Sequence, residues 1–287
     1  MFCLLEAILL NKIATLGPPG TFSEIATKQY MSAQQESLEI VYCNTINQSL
    51  SAIGAQTRFA MLPIENFSEG FVNPVLDYLV NAPLYICAEL LLPIQFSLVS
   101  HCTNVQDIET IYVQFVARGQ CAEYLEKLTA INFITTDSNM QSLSAINKAP
   151  NAAAVVPSHM LDSGFFASVV ENITDYSNNQ TRFILLSHVI EDCGPRGPKI
   201  QLNDYKTSII ILFDDDHPGY LEGVLRSFTE HGINLTSIVS RPTRQRFGKY
   251  HFFIDLDGST EDPNVKKALH TVQQRFKVKV LGSYLKS

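Results

Sequence analysis

The chain has 287 residues, with a hydrophobic fraction of 46% and a formal net charge of −7. This length fits one large domain or two ordinary ones, with enough apolar residues for a real core. The acidic balance argues against nucleic acid as a partner, because phosphate binding needs a basic face.

Residues 1–11 contain no basic region and no small-residue cleavage site, and no apolar run in the chain is long enough to cross a bilayer. We therefore expect an N-terminal extension over 1–11 on a cytoplasmic protein without a membrane partner. The six cysteines are scattered, with no CxxC pair and no spacing suited to zinc. They are expected to be free, mostly buried thiols, and no metal site is expected.

Up to about residue 188, segments with a strand pattern alternate with segments that have a helix pattern. The predicted strands are KIATLG, LEIVYC, FAMLPIEN, LYICAELLLPIQFSLVS (two strands bent at Pro93), DIETIYVQ, INFITTDS and TRFILLSHV. The predicted helices are TFSEIATKQYM, TINQSLSAIGAQ, FSEGFVNPVLDYLV (with an irregular start at Pro74), CAEYLEKL and MQSLSAINKA. The alternation predicts α/β layers around a largely parallel sheet.

A linker pattern follows, because the stretch Ser187–Tyr205 contains two Gly-Pro steps and mixed charges. Beyond it come the strand KTSIIILF, a helix that starts at Pro218 and is capped by Gly232, the strands INLTSIVS and KYHFFIDLDG, the helix DPNVKKALHTVQQRF and the strand KVKVLGSYL. The order β-α-β-β-α-β is that of a small antiparallel sheet backed by two helices.

Three polar segments of the first block are candidates for a site. In LGPPGTFSEIA, Thr21 and Glu24 fit a capping box; the helix start suits an anion, although an ordinary cap has the same pattern. In LPIENFSEGFV, Glu65 and Asn66 leave an apolar strand, where α/β folds bind ligands, or they only shape a turn. In SNNQTRFILLS, uncharged polar residues precede Thr181, either as a turn or as a catalytic loop.

No nucleophile–histidine pair, metal cluster or cofactor signature accompanies these segments. An anion-ready helix end with uncharged donors suits a small anionic substrate, handled by hydrogen bonds and positioning alone. We therefore expect no cofactor.

The segments GPPGTFS, PIEN, EGFV, AAAV, ENITD and above all NNQTRF resemble, in order and spacing, the catalytic domain of the prephenate dehydratase family. The segments PGYLEGVLRSFTEHGINLTSIVSRP and YHFFIDLDG resemble the ACT regulatory domain that follows it in that family. The resemblance implies a catalytic domain at 12–188, with two α/β lobes around a cleft as in periplasmic binding proteins. It further implies a linker at 189–205 and a ferredoxin-like βαββαβ ACT domain at 206–287.

The resemblance also implies a reaction, since the family converts prephenate to phenylpyruvate with loss of carbon dioxide and water, without metal or organic cofactor, in phenylalanine biosynthesis. Thr181 matches the residue that the family uses as proton donor or hydrogen-bond donor to the leaving hydroxyl, and Glu65 and Asn66 are the other expected catalytic residues. The expected substrate-binding residues are Gly20, Thr21, Phe22, Ser23, Gln120, Asn179, Arg182 and Phe183.

ACT domains of the family pair across a dimer and bind phenylalanine as a feedback inhibitor. Phenylalanine and further copies of the chain, in a dimer or tetramer, are therefore the expected partners besides prephenate. The expected effector-binding residues are Gly219, Tyr220, Leu221, Asn234, Leu235, Ser240, Arg241 and Pro242.

Several positions depart from the family pattern: Phe67 replaces a serine, Phe96 a histidine, and Val113 and Gln114 begin a segment that is Ser-His-Pro-Gln in the family. The ACT block differs at Tyr220 and Val239. These departures leave two alternatives open: a non-aromatising prephenate decarboxylase, and a non-catalytic sensor of a small acid or amino acid. Arogenate in place of prephenate also stays open.

Overall fold

The structure is a computed structural model that describes residues 11–35, 37–163, 165–193, 204–212 and 217–287. The predicted extension over 1–11 lies outside the described residues except for Asn11, and so does the part 194–203 of the predicted linker. No helix within these ranges is long and apolar enough to cross a membrane.

The strands, in chain order, are β1 (Lys12–Leu16), β2 (Glu39–Cys43), β3 (Phe59–Asn66), β4 (Gly70–Phe71), β5 (Tyr85–Pro93), β6 (Phe96–Ser100), β7 (Thr110–Gln114), β8 (Asn132–Thr136), β9 (Ala152–Pro157), β10 (Ser168–Val170), β11 (Gln180–Ser187), β12 (Tyr205–Leu212), β13 (Leu235–Pro242), β14 (Tyr250–Asp257) and β15 (Lys277–Leu285). The helices are α1 (Phe22–Gln34), α2 (Ile46–Ala52), α3 (Asn73–Asn81), α4 (Phe115–Gln120), α5 (Ala122–Leu125), α6 (Asn139–Ile146), α7 (Tyr220–Thr229) and α8 (Pro263–Gln273).

The first lobe is built on a sheet with strand order β2-β1-β3-β11-β5. β1 is parallel to β2 and β3, whereas β11 is antiparallel to both of its neighbours, β3 and β5. The prediction of a largely parallel sheet is therefore wrong here, because β11 returns from the second lobe and enters between two strands that run the other way. Helix α1 packs on one face of this sheet, and α2 and α3 pack on the other.

The second lobe contains a sheet of order β10-β6-β9-β7-β8, also of mixed direction. Helix α4 was not predicted, because its cap is an unusual one. The Oε1 of Gln114 accepts from the backbone N–H groups of Val116 and Ala117, at 3.0 and 3.2 Å, whereas helix starts are normally marked by Ser, Thr, Asp or Asn. The two α/β lobes that the family resemblance implied are confirmed.

The C-terminal unit has the strand order β13-β14-β12-β15, with antiparallel pairing throughout. Its helices α7 and α8 cover one face over a core of their own, which confirms the predicted βαββαβ plan. The other face shares a core with the first lobe, where Ile210, Phe253 and Leu281 pack with Ile86 and Ile184. The C-terminal unit is thus docked on the lobe face that also carries α2 and α3.

Two cysteines that are far apart in the sequence are joined in the fold. Cys87 of β5 and Cys193 form a disulfide across a separation of 106 residues. The prediction of free thiols is wrong for this pair, whereas Cys43, Cys102 and Cys121 are free. The bond forms because the short turn Ile190–Asp192 after β11 lies against β5. A tertiary contact of this kind leaves no signal in the spacing of cysteines.

Two backbones meet directly where the C-terminal unit docks on the first lobe. Gly282 of β15 has a φ of 150°, and a Cβ at this position would lie 2.2 Å from the carbonyl oxygen of Ile86 in β5. Both the backbone conformation and the missing space require glycine here. The docking of β15 on β5 therefore depends on a residue without a side chain.

Replacing Gly282 by alanine is expected to lower the free energy of unfolding by about 3 kcal/mol or more, because it adds both an overlap with backbone and an unfavourable φ. Urea unfolding followed by circular dichroism measures this loss. Gly248→Ala is the matched control, since Gly248 also has a positive φ (86°) but nothing within 4 Å of the added carbon. It should cost only about 1 kcal/mol, and equal losses in the two variants would contradict the close-contact argument.

Candidate active site

A cleft of about 480 Å³ lies between the two lobes, within the size range of small-molecule sites. From the first lobe it is lined by Gly17, Pro18, Thr21, Phe22, Ser23, Pro63, Asn66, Glu69, Val72, Thr181 and Phe183. From the second lobe and the crossing to it come Ile94, Phe96, Gln114, Val116, Gln120, Asp137, Ser138 and Asn139. The charged side chains of this lining are the acids Glu69 and Asp137, so binding of an anion has to rely on uncharged donors.

Thr181 lies at the cleft end of β11 and is 7% exposed. Its Oγ1 accepts a hydrogen bond of 2.8 Å from Nδ2 of Asn66, the residue opposite it on β3. Because the hydroxyl oxygen serves as the acceptor in this bond, its own proton stays available for a ligand in the cleft. The pair therefore presents Thr181 as a hydrogen-bond donor.

The orientation of the Asn66 amide is set by the turn after β3. Its Oδ1 accepts from the backbone N–H groups of Ser68 and Glu69, both at 3.0 Å, and from the Ser68 hydroxyl at 2.8 Å. A backbone N–H can only donate, so the amide oxygen has to face the turn and the amide nitrogen has to face Thr181. Asn66 therefore has both of the roles considered for it: its amide oxygen shapes the turn, and its amide nitrogen binds Thr181 at the site.

The N-terminus of α1 faces the cleft and begins with the predicted capping box. Thr21 Oγ1 accepts from the backbone N–H of Glu24 at 3.4 Å, and the Glu24 carboxylate accepts from the N–H of Gly20. Burial raises the pKa of Glu24, but hydrogen bonds from Gly20, Lys28 and Tyr42 outweigh burial and lower that pKa to about 2. The ionised carboxylate holds the loop, and the N–H groups of Phe22 and Ser23 precede the first intrahelical bond of α1, which the N–H of Ile25 donates to the Thr21 carbonyl.

Gly20 itself supports the loop and is not part of the cleft lining. Besides its N–H bond to Glu24, its carbonyl oxygen lies 3.2 Å from Nε2 of His159, a residue of the second lobe. Phe22, two residues after Gly20, packs edge-to-face on the His159 ring, with ring centroids 5.2 Å apart. The loop therefore contacts both lobes.

A second helix N-terminus, that of α6, faces the cleft from the other lobe, and its residues were not among the predicted site residues. Ser138 caps the helix by accepting from the N–H of Gln141 at 3.2 Å, and Gln141 Oε1 accepts from the N–H of Asp137 at 2.7 Å. Asp137, Ser138 and Asn139 all line the cleft. The signal was present in the sequence, because Ser138 and Gln141 have the same capping spacing as Thr21 and Glu24.

Gln120 belongs to the wall formed by the second lobe. Its Oε1 accepts from Nδ2 of Asn179 at 3.2 Å. Asn179 is 1% exposed and lies behind Gln120, so that it supports the wall without lining the cleft. Phe183, two residues after Thr181, faces the cleft on the same side of β11.

The residues that depart from the family pattern add little polarity to the cleft. Phe96 is buried and packs edge-to-face with Phe22, with ring centroids 5.6 Å apart. Val113 is fully buried, and Gln114 uses its side-chain oxygen to cap α4. Phe67 is 61% exposed on the turn after β3. Phe96 therefore adds an apolar group to the cleft wall, whereas Val113 and Phe67 are not part of the lining, and the Thr181–Asn66 pair is intact.

Glu65 and Arg182 do not face the cleft, contrary to the expectation that both take part in the site. They pair with each other on adjacent strands, one residue away from Asn66 and Thr181, and successive strand residues point to opposite faces. Their side chains therefore point toward the C-terminal unit. Arg182 Nη2 lies 3.2 Å from Glu65, and its Nη1 lies 2.5 Å from Asp255 of β14.

The residues expected to bind an effector lie around the start of α7 and along β13. Gly219 precedes α7 with a φ of 85°, and the ring of Tyr220 packs edge-to-face on Phe276 at 4.9 Å. The remaining uncharged ones are exposed or half-buried: Leu221, Asn234, Leu235, Ser240 and Pro242. Arg241 is already paired, because its Nε and Nη2 donate to both carboxylate oxygens of Asp77 in α3, at 2.8 and 2.9 Å.

Glu24→Gln is expected to destabilise the protein in a pH-dependent way. The pKa of Glu24 is lowered from 4.5 to about 2, so its carboxylate stabilises the fold above about pH 4.5, and this contribution is lost as the pH falls toward 2. The difference between variant and wild type should therefore be largest at neutral pH and shrink through that window, as measured by urea unfolding at a series of pH values.

Glu39→Gln is the control for this measurement, because Glu39 pairs with Lys12 on the surface and its side chain is 66% exposed. Such a pair contributes little to stability at any pH. A destabilisation by Glu24→Gln that stayed constant from neutral pH to pH 2 would contradict the assigned role of the carboxylate.

Comparison with known proteins accounts for both parts of the chain. Residues 13–190 match the family model for prephenate dehydratase, and residues 207–273 match the ACT domain. The bifunctional chorismate mutase/prephenate dehydratase of Aquifex aeolicus is 32% identical over 96% of this chain and 74% of its own length. The prephenate dehydratase of Bacillus subtilis is 30% identical over 95% of this chain and 98% of its own length.

A crystal structure agrees with these sequence relatives. The prephenate dehydratase of Arthrobacter aurescens, solved in complex with L-Phe, superposes with a TM-score of 0.79 at 30% identity, covering 96% of this chain and 90% of that chain. This chain therefore belongs to the prephenate dehydratase family and has the family's ACT domain after the catalytic domain.

Proposed function

We propose that the cleft converts prephenate to phenylpyruvate with loss of carbon dioxide and water. The observation that carries this proposal is the orientation of Thr181, whose oxygen accepts from Asn66 and whose proton is left for a ligand. Breaking the bond from ring carbon C1 to its carboxylate supplies the electron pair that completes the aromatic ring. The C4 hydroxyl then leaves and takes up one proton to become water. The balance needs a proton but no oxidant or reductant.

Thr181 acts on the departing C4 oxygen. A threonine hydroxyl is a weak acid, so a full proton transfer ahead of C–O cleavage would be too costly. The hydroxyl is effective when proton transfer accompanies cleavage, or when its hydrogen bond strengthens as negative charge develops on the leaving oxygen. Asn66, fixed by the turn after β3, holds the hydroxyl in the required orientation before the substrate arrives.

The two carboxylates of prephenate are proposed to bind at the two helix N-termini that face each other across the cleft. The N-termini of α1 and α6 present backbone N–H groups and the positive ends of their dipoles from opposite lobes. Ser23 and Gln120 line the same cleft as additional donors. Glu69 repels a substrate carboxylate, which favours the helix ends over its part of the wall, whereas Asp137 directly precedes the Ser138 cap of α6 and opposes anion binding there.

The ACT domain is proposed to bind phenylalanine as a feedback inhibitor, with Gly219, Tyr220, Leu221, Asn234, Leu235, Ser240, Arg241 and Pro242 as contributing residues. The relative from A. aurescens that was crystallised with L-Phe supports this proposal.

Strand β13 ends the ACT sheet on one side in the described part of the chain. An exposed sheet edge tends to pair, and we propose a dimer or tetramer through this region. The cytoplasmic location and the domain limits at 12–188, 189–205 and 206–287 stay predictions.

Thr181→Val is expected to lower kcat for prephenate by about 10²-fold or more, because it removes the hydroxyl that assists the leaving group. The absorbance of phenylpyruvate in alkali measures turnover. Thr181→Ser is the matched variant, since it keeps the hydroxyl opposite Asn66 and should stay within about tenfold of wild type. Unchanged turnover in Thr181→Val would end the assignment of Thr181. A non-aromatic diene acid in the product NMR spectrum would favour the decarboxylase alternative.

Phenylalanine, the proposed effector, is expected to bind the intact protein and to lower its turnover, and tyrosine serves as the comparison ligand. Calorimetry and the prephenate assay measure the two effects, and sedimentation gives the oligomeric state. Binding of phenylalanine by a protein without turnover would favour the sensor alternative. A monomer that releases no heat with phenylalanine would contradict regulation through paired ACT domains.

A further inference from the structure

A buried cluster of charged side chains lies directly behind Thr181, on the face of β11 that the cleft does not use. Arg182 is 8% exposed, and its guanidinium contacts Asp255, Glu65 and Glu89 at 2.5, 3.2 and 3.6 Å. Asp255 belongs to β14 of the ACT domain, whereas Glu65 and Glu89 belong to β3 and β5 of the first lobe. One guanidinium therefore connects both domains.

The β3–β11 ladder places this cluster next to the catalytic pair. Thr181 is opposite Asn66, and Arg182 is opposite Glu65. The two pairs are consecutive along the ladder: one peptide bond joins Thr181 to Arg182 and another joins Glu65 to Asn66. The side chains of the two pairs project to opposite faces of the sheet. A displacement of the Arg182–Glu65 pair is therefore passed through two short backbone links to the Thr181–Asn66 pair.

Asp255 is held firmly on the ACT side of the contact. It accepts from the Ser208 hydroxyl at 2.5 Å, and Ser208 in turn lies 2.5 Å from the hydroxyl of Tyr284. Arg182 has no hydrogen-bond partner at Nε among the described residues, so it depends on the carboxylates that its terminal nitrogens reach. An ion this deeply buried is costly without partners, and Asp255 is the shortest of its three carboxylate contacts, so the position of Arg182 is coupled to that of Asp255.

We propose that Arg182 is a positioning residue through which the ACT sheet sets the place of the Thr181–Asn66 pair in the cleft. This inference rests on the proposed role of Thr181 in the dehydration. It assigns no contact with substrate to Arg182. Gly282 prevents β15 from slipping over β5, so a change in the twist of the ACT sheet reaches Asp255 and, through Arg182, the strand that carries Thr181.

The kinetic test compares two variants that each remove one interdomain carboxylate. Asp255→Asn should lower kcat for prephenate by about three- to tenfold with KM within about twofold of wild type, because misplacement of a catalytic group affects the chemical step. Asp77→Asn is the matched control: it breaks a separate interdomain contact, to Arg241 and Arg244, without touching β11. It should lower stability but leave kcat unchanged.

Arg182→Lys refines the comparison, because lysine keeps the charge but cannot reach two carboxylates with a planar fork. Its kcat should fall between that of wild type and that of Asp255→Asn. A purely structural role for Arg182 predicts the same kcat per folded molecule in all these variants, and that result would overturn the proposal. If Asp255→Asn does not fold, Ser208→Ala replaces it and should change kcat in the same direction by a smaller factor.

A second readout does not depend on turnover. The NMR signal of the Thr181 methyl group, assigned by its loss in Thr181→Ser, should shift in Asp255→Asn and stay in place in Asp77→Asn. A wild-type chain without activity on prephenate would overturn the proposed function, while the methyl signal would still decide the coupling. An unmoved Thr181 methyl in Asp255→Asn would overturn the coupling even in a fully active enzyme.

Discussion

The antiparallel insertion of β11 between β3 and β5 is the interaction on which the rest of the structure depends. It closes the sheet of the first lobe with a strand that has already passed through the second lobe. The insertion brings Thr181 opposite Asn66 at the cleft, and it turns Arg182 toward the ACT domain. The chain that leaves this strand reaches β5 again, where Cys193 meets Cys87. The candidate site and the domain docking thus share one strand, and the disulfide joins the chain that leaves this strand to its neighbour β5.

The molecule separates its charges from its site. The cleft lining holds helix N-termini, amides and hydroxyls, with Glu69 and Asp137 as its charged members. The ion pairs are concentrated on the opposite face, where Arg182 meets Asp255 and Arg241 meets Asp77. Uncharged donors that are fixed in advance suit a reaction in which charge moves within the substrate, because they need no reorganisation as the charge develops.

The order of the elements, the two lobes and the ACT plan follow from sequence periodicity and from motifs that are local in the chain. Thr21, Asn66 and Thr181 were found in the same way, since each stands at the end of an element. Glu65 and Arg182 belong to the expected site through the family resemblance, yet strand alternation turns them toward a domain whose docking no local pattern reports. The Cys87–Cys193 bond depends on tertiary packing. So does the position of the α6 N-terminus at the cleft, although the capping residues of α6 can be recognised in the sequence.

The close approach of Gly282 to Ile86 limits how the molecule can move. The ACT domain shares a hydrophobic core with the first lobe, so these two parts pack together into one body. The second lobe joins that body by two chain crossings, residues 94–95 after β5 and residues 171–179 before β11. In the described part of the chain, the second of these crossings ends at Asn179, directly before Gln180 and Thr181. A movement of one lobe relative to the other therefore acts on the chain next to Thr181, the proposed proton donor.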